Sequence, residues 1–187
     1  MRFLTSRLVL GMAAVAALGV AFGTIHFVHP AWYERLWHPF RYQEIVLGHA
    51  RNYRLDPALL AAVIYQESKF NADAKSDRGA IGLMQLLPDT AKGIAVRTGG
   101  SKFRISDLYN PELNVRYGSW YLRHLLDKYG SERIALAAYN AGQANVDGWR
   151  ARGIGIQFDE TKEFVNHIES LKKTYRHAYS SLRQTGI

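Results

Sequence analysis

The sequence predicts an all-α domain preceded by an N-terminal transmembrane helix, and three observations carry that prediction. Leu8 to Val28 is an apolar stretch with no charge apart from the titratable His26, and a membrane-spanning helix takes about 20 such residues. Two cap-plus-proline pairs, Asp56-Pro57 and Asn110-Pro111, each stand directly before a segment of helical apolar periodicity. No segment alternates apolar and polar residues as a set of half-buried strands would.

At the N-terminus, Arg2 and Arg7 flank the apolar stretch without any acid. This bias favours a cytoplasmic N-terminus and an exported remainder. The stretch exceeds the 7–15 apolar residues of a signal-peptide core, which favours a retained anchor. Gly19-Val20-Ala21 and Ala21-Phe22-Gly23 are the small-residue sites a signal peptidase would use in the alternative, secreted reading. Trp32, Tyr33, Trp37 and Phe40 follow among Arg35, His38 and Arg41, the composition of an interfacial belt. The expected organisation is residues 1–28 as anchor or signal, 29–41 as juxtamembrane linker and 42–187 as the helical domain.

Within that domain, Tyr42 to Tyr53 carries Ile45, Val46, His49 and Tyr53 on one helical side. Asp56 caps and Pro57 opens the next helix, which runs through Ala58-Leu59-Leu60-Ala61-Ala62-Val63-Ile64 to Glu67-Ser68. Residues 70–80 are polar and turn-rich, with Gly79 and Gly82 allowing tight bends. Pro88 opens a helix through Val96 that Gly99-Gly100 stops. After Asn110-Pro111, Val115, Gly118, Leu122, Leu125, Leu126 and Tyr129 recur at helical spacing until Gly130. Ser131 precedes a further helix, Ile134 to Tyr139. A last one starts near Asp159, with Phe164, Ile168, Leu171 and Tyr175 on one face.

Composition narrows the chemistry. The chain has no cysteine, which removes disulfides, thiolate ligands and thiol nucleophiles. The net charge is +8, and about six positive charges remain once Arg2 and Arg7 are set aside. Scattered basic residues on an exported domain suit an anionic wall polymer or membrane surface; nucleic acid is the weaker option because no basic run is present. The seven histidines show no His-Glu-x-x-His arrangement, and there is no phosphate-cradling glycine loop, so neither metal nor cofactor is expected.

Glu67 is the residue with the clearest chemical implication. On a helix it shares a face with Val63 and Ile64, so its carboxylate points toward apolar surroundings. Desolvation there raises a pKa from about 4.3 toward about 6, which lets the group hold a proton and give it to a leaving oxygen. The bland alternative is a carboxylate that bends into solvent or pairs with Lys69 or Arg78. Asp73 and Asp77 fall in the polar turn and read as solvated, although either could lie across a cleft from Glu67.

Glu67-Ser68-Lys69-Phe70-Asn71, Ala74, Ser76, Gly79-Ala80 and Gly82-Leu83-Met84-Gln85 together resemble the catalytic core of the soluble lytic transglycosylases, lysozyme-like enzymes related to goose-type lysozyme. Asn110-Pro111 with Asn114, Gly118 and Tyr121-Leu122 is similar to that family's central helix. Ala138-Tyr139-Asn140-Ala141-Gly142 and Glu160-Thr161-Lys162 with Phe164-Val165 resemble its later motifs. Four motifs in order over Asp56 to Tyr175 are a specific signal. The chain departs from the pattern at Gly155-Ile156-Gln157-Phe158, where the family commonly has a proline, and at Phe164, where it often has tyrosine.

The resemblance implies a lysozyme-like groove, peptidoglycan as polymer and a place in the bacterial cell envelope. It also implies non-hydrolytic cleavage of the β-1,4 bond between N-acetylmuramic acid and N-acetylglucosamine, leaving a 1,6-anhydromuramic end. Glu67 would be the acid and base, Ser76 and Tyr139 would hydrogen-bond the reacting sugar, and Gln85 and Asn140 would bind sugar or order the site. Met84 would line the groove and Glu160 would hydrogen-bond within it. Met84 could equally be plain core, and Asn114 and Asn140 could be structural amides. A goose-type hydrolase of the same bond and a catalytically silent wall-binding module are the competing readings.

Overall fold

The computed structural model describes residues 2–100 and 102–182; residues 183–187, the end of the expected domain, lie outside them. The chain divides between Pro39 and Phe40 into two compact units.

The N-terminal unit holds α1 (Arg2–Val28) and α2 (Ala31–Trp37). Within α1, Leu10–Val28 is long and apolar enough to cross a membrane, with a mean hydropathy of 1.8 over its most apolar window and none of it buried. Nineteen residues at about 1.5 Å each reach roughly 28 Å, close to the hydrocarbon thickness of a bilayer. The segment expected as a linker contains a helix, α2. Glu34 of α2 bridges the Nδ1 atoms of His29 (3.0 Å) and His38 (2.9 Å), which fastens both ends of this short element.

The second unit is all-α, as the sequence predicts. It contains α3 (Gln43–Asn52), α4 (Pro57–Ser68), α5 (Pro88–Arg97), α6 (Pro111–Tyr129), α7 (Glu132–Ala141), α8 (Gln143–Ala151) and α9 (Asp159–Ala178), with a short 3-10 helix at Ile105–Tyr109. Among the described residues the only β pairing is two isolated bridges, Lys75 with Ile81 and Ile81 with Leu86. α8 is absent from the sequence reading. Its apolar anchors are Val146 and Trp149 alone, too few to show a period.

α4 is the central helix. Ala58 to Ile64 are buried without a break, the signature of a helix surrounded on all sides. α3 and α9 pack against it, and α7 packs on α9 and α6. Each fully buried Leu, Val or Ile contributes about 1.5–3 kcal/mol of transfer free energy, so Leu59, Leu60, Val63 and Ile64 anchor the helix in place. Its start is capped as expected: the Ala58 N–H donates to Asp56 Oδ1 at 3.0 Å. Asp56 also pairs with Lys172 (3.2 Å) and Arg176 of α9, and Lys172 reaches Glu132 of α7 at 2.7 Å. A further tie, His49 Nε2 to Glu112 at 2.7 Å, joins α3 to α6.

Phe40 departs from the expected interfacial belt. It is buried in the core of the second unit, edge-on to Phe70, Tyr175 and Tyr179, and its N–H donates to the Tyr179 hydroxyl at 3.0 Å. A second, smaller core of Ile81, Leu86, Ala91, Ile94, Ala95, Leu108 and Tyr117 forms a lobe beside the main one. The two apolar clusters leave room between their surfaces for a cleft.

Candidate active site

The cleft has a volume of about 560 Å³. The 76–90 segment forms one wall, with Ser76, Asp77, Arg78, Gln85 and Thr90. The C-terminal end of α7 forms the other, with Tyr139 and Asn140; Tyr121 of α6 and Glu160 of α9 complete it, and Glu67 opens into it from the last turn of α4.

Glu67 arrives there because α4 is immobilised over its apolar length and stopped sharply after Ser68. Lys69 and Phe70 both adopt left-handed backbone conformations, φ 53° and 61°, which end the helix by turning the chain. Lys69 lies over the Tyr65 ring, 4.2 Å from its centre, and does not pair with Glu67. Among the described residues Glu67 has neither an ion-pair partner nor a protein hydrogen bond. Burial alone pushes its carboxyl up to about 8. The shift exceeds the sequence expectation because the groove walls, not just its own helix, remove water from it.

The far wall is built by a chain of hydrogen bonds. The Ser68 hydroxyl lies within hydrogen-bond distance of the carbonyls of Ile64 (3.1 Å) and Leu83 (2.8 Å), and donation of its one proton to the nearer, Leu83, fastens the 81–86 loop to the end of α4. Asn114, fully buried, accepts from the Met84 N–H at 2.8 Å and donates to the carbonyls of Ile81 (2.9 Å) and Leu108 (2.8 Å). Its structural reading is the one the geometry supports. Gly82 has φ +81°, and a Cβ there would lie 2.3 Å from Asn114 and 2.4 Å from the Leu108 carbonyl. The residue must be glycine for both reasons.

Met84 corrects an expectation. Its side chain is fully buried and seated on Gly118, where a Cβ would come within 2.2 Å of Sδ, so it faces the core and not the groove. What Met84 offers the site is its backbone: the Tyr139 hydroxyl donates to its carbonyl at 2.8 Å. Burial, then the Glu67 carboxylate, then Tyr121 hold the Tyr139 phenol well above its ordinary range. Tyr121 packs against Tyr139, ring centres 5.5 Å apart.

The remaining expected residues all line the cleft, and Ser76, Gln85 and Asn140 each have part of their hydrogen-bonding capacity used. The Ser76 hydroxyl accepts from the Ala80 N–H at 3.0 Å, so its own proton is free to donate. Gln85, with φ 46°, donates through Nε2 to the carbonyls of Ala74 (3.2 Å) and Gly82 (2.9 Å), which leaves its amide oxygen. The Asn140 oxygen accepts from the Thr161 hydroxyl at 2.7 Å, so its amide N–H groups remain. That bond explains the Glu160-Thr161 pair: Thr161 is buried and locks α9 to the end of α7, while Glu160 stays exposed at the rim. Phe164 lies in the core, so its departure from the family pattern does not reach the groove.

Sequence reasoning did not assign Asp77, Arg78, Thr90 or Tyr121 to the site. Tyr121 had a signal, its place in the Tyr121-Leu122 motif; Asp77 and Arg78 sit in a turn whose path only the fold defines, and Thr90 lies in the first turn of α5. Asp77 does lie on the wall facing the cleft, and it is exposed.

This geometry can be set beside known proteins. The sequence profile of the Transglycosylase SLT domain matches residues 44–156, more than half of the chain. The chain belongs to the transglycosylase SLT domain family. The soluble lytic murein transglycosylase of Salmonella typhimurium is 32% identical over 151 residues, which cover 74% of this chain and 23% of that protein. The membrane-bound lytic murein transglycosylase E of Buchnera aphidicola is 37% identical over 150 residues, 73% of this chain and 68% of that one. Among solved structures, an inactive glutamate-to-glutamine mutant of lytic transglycosylase Slt from Pseudomonas aeruginosa superposes with a TM-score of 0.70 at 29% identity, covering 81% of this chain and 27% of that one. This SLT-domain chain therefore spans about a quarter of the length of the longer relatives, and its all-α groove is the lysozyme-like fold of that family.

Proposed function

We propose that this chain is a peptidoglycan lytic transglycosylase that cuts the β-1,4 bond between N-acetylmuramic acid and N-acetylglucosamine, with Glu67 as both acid and base. The observation that carries the reading is a carboxyl raised to about 8 by burial, opening into a polysaccharide-sized groove and bonded to no protein group. At neutral pH it is mostly protonated, the state a leaving oxygen requires.

The steps follow from the groups present. Glu67 gives its proton to the glycosidic oxygen as the bond to the muramoyl C1 breaks. The muramoyl acetamido oxygen attacks C1 and takes the role a second carboxylate has in ordinary glycosidases. Glu67, now ionised, removes the proton of the muramoyl C6 hydroxyl, whose oxygen attacks C1, expels the acetamido group and closes the 1,6-anhydro ring. Glu67 is thereby returned to its protonated form and no water is consumed. Ser76 has a free hydroxyl proton and Asn140 free amide N–H groups to hold sugar oxygens. Tyr139, fixed by the Met84 carbonyl, keeps its oxygen lone pairs for an acetamido N–H.

Asp77, a second carboxylate lining the same cleft, supports a second reading, hydrolysis by a water held between two carboxylates. Muropeptide mass spectrometry separates the two. Products lighter by one water than hydrolysed disaccharide peptides, and absent with Glu67→Gln, are expected; water-added products would replace this proposal with the hydrolase. No product from either protein, with wall binding intact, would leave a binding module. We further propose that Leu10–Val28 holds the enzyme in the bacterial cytoplasmic membrane with the groove outside, which the apolarity and length of that helix support.

A further inference from the structure

The N-terminal unit carries a second element suited to lipid besides its apolar helix. α1 stops at Val28, His29 takes a left-handed backbone with φ 46°, and Pro30 stands at the start of α2. The break makes α2 a separate helix and not a continuation of α1. Its seven residues, Ala31–Trp37, measure about 10 Å, a third of the roughly 30 Å that a bilayer core requires. α2 cannot span, and only His29 and Pro30 separate it from Val28.

Short as it is, α2 has two faces. At about 100° per residue, Trp32, Leu36, Tyr33 and Trp37 fall within an arc of about 140°, with Glu34 and Arg35 on the other side. The apolar arc is open: Trp32 is 53% exposed, Leu36 70% and Trp37 63%, and no residue of the helix is buried. Glu34, the one acid of the helix, is engaged on the polar side by His29 and His38. Arg35 is exposed there. An indole set in this way suits the headgroup level, where its ring meets lipid and its N–H meets water.

Resting on the proposed placement of Leu10–Val28 in the membrane, we infer that α2 lies flat in the lipid interface at the exported end of that helix. Trp32 and Leu36 turn into the acyl boundary, and Arg35 turns toward the phosphates. Continuity with the span names the occupant of the apolar arc. Val28 ends the apolar stretch, and the two residues after it bring the start of α2 within about 11 Å of the hydrocarbon edge. An amphipathic helix in that layer buries its apolar face about 5–10 Å deep, and a cation on its polar side is drawn to anionic headgroups. The contact gives the chain a second hold on lipid, set by one face of α2 and separate from the span.

The test reads depth, one position at a time. The chain has no cysteine, so Trp32→Cys, Leu36→Cys, Arg35→Cys and Leu18→Cys each give the full-length chain a single thiol for a nitroxide label. All four sites are exposed, so the changes leave packing intact. The labelled chains are reconstituted into vesicles of phosphatidylethanolamine and phosphatidylglycerol, and relaxation by oxygen is compared with relaxation by a water-soluble nickel chelate. Labels at positions 32 and 36 are expected about 5–10 Å below the phosphates, the label at 35 in water, and the label at 18 deepest. Labels at 32 and 36 as aqueous as that at 35 would overturn the inference. So would equal depth at 32, 35 and 36, which would make α2 part of the span. Labels at 36 that broaden each other's spectra and are reached by neither oxygen nor nickel would overturn it too, in favour of a second copy of the chain on the arc. The label at 18 tests the span by itself: water there removes the anchor, and the contrast between 36 and 35 still decides whether α2 binds lipid.

Discussion

Glu67 concentrates the chemistry in a single proton, and its environment makes two predictions. Its carboxyl is raised to about 8 in the folded protein from about 4.5 in water, so keeping it ionised in the folded protein costs on the order of 5 kcal/mol. The sign follows from the raised pKa: the penalty is absent below about pH 4.5, grows as pH rises, and is complete above about 8. Glu67→Gln is expected to abolish cleavage and also to stabilise the protein by a few kcal/mol at pH 9, with little change at pH 4.5. Urea unfolding at both values checks this, and an equal gain at both would mean burial is not the cause. The same titration predicts kcat/KM that falls about tenfold per pH unit above about 8, because the acid form is lost. Asp77 decides the mechanism. Asp77→Asn is expected to lower the rate less than tenfold if the substrate acetamido group does the second carboxylate's work, and by several orders of magnitude if Asp77 activates water.

Helices and loops act here as paired supports. α4 delivers Glu67 because its whole apolar length is buried; Ser68 binds the 81–86 loop to α4 through the Leu83 carbonyl, and Asn114 binds the same loop to α6 through the Ile81 carbonyl and the Met84 N–H. Asn114→Ala would leave the Met84 N–H and the Leu108 carbonyl without their partner, while the Ile81 carbonyl keeps the Leu86 N–H. At about 1–3 kcal/mol for each unsatisfied group, the expected loss is about 2 kcal/mol or more in denaturant unfolding, with a fall in kcat because the Met84 carbonyl also holds Tyr139. Gly118→Ala is expected to cost about 1–3 kcal/mol by forcing Met84 off its seat. The helices carrying long apolar periods were legible in the sequence, as were the Asp56 and Asn110 caps. α8 and the helix at Ala31–Trp37 were not, because each is short and held by few contacts of its own.

At the scale of the whole molecule, the folded unit begins at Phe40, not at the first helix of the domain. Phe40 fills a pocket between Phe70, Tyr175 and Tyr179. A chain started just before Phe40 is expected to fold with full stability, whereas one started at Gln43 is expected to lose about 3–5 kcal/mol, the usual cost of deleting a buried Phe. Thermal unfolding of the two truncations measures the difference. The intact chain is expected to pellet with membranes and to resist extraction by salt and by alkali. Recovery in the soluble fraction would instead favour a cleaved signal segment.

Local patterns in the sequence determined the all-α class, the apolar N-terminal helix, the capped starts of α4 and α6, and the position of Glu67 at the end of an apolar run. They could do so because helical periodicity, caps and apolar length are properties of neighbouring residues. Tertiary structure decided the rest. Met84 and Gln85 are adjacent, yet one is core and the other faces the groove, because Gly118 of α6 receives the methionine. Asp77 and Glu160 reach the same cleft from segments far apart in the chain, and the height of the Glu67 pKa depends on walls contributed by α6, α7 and the 76–90 segment. Desolvation and convergence are sums over distant residues, and only the folded chain brings those residues together.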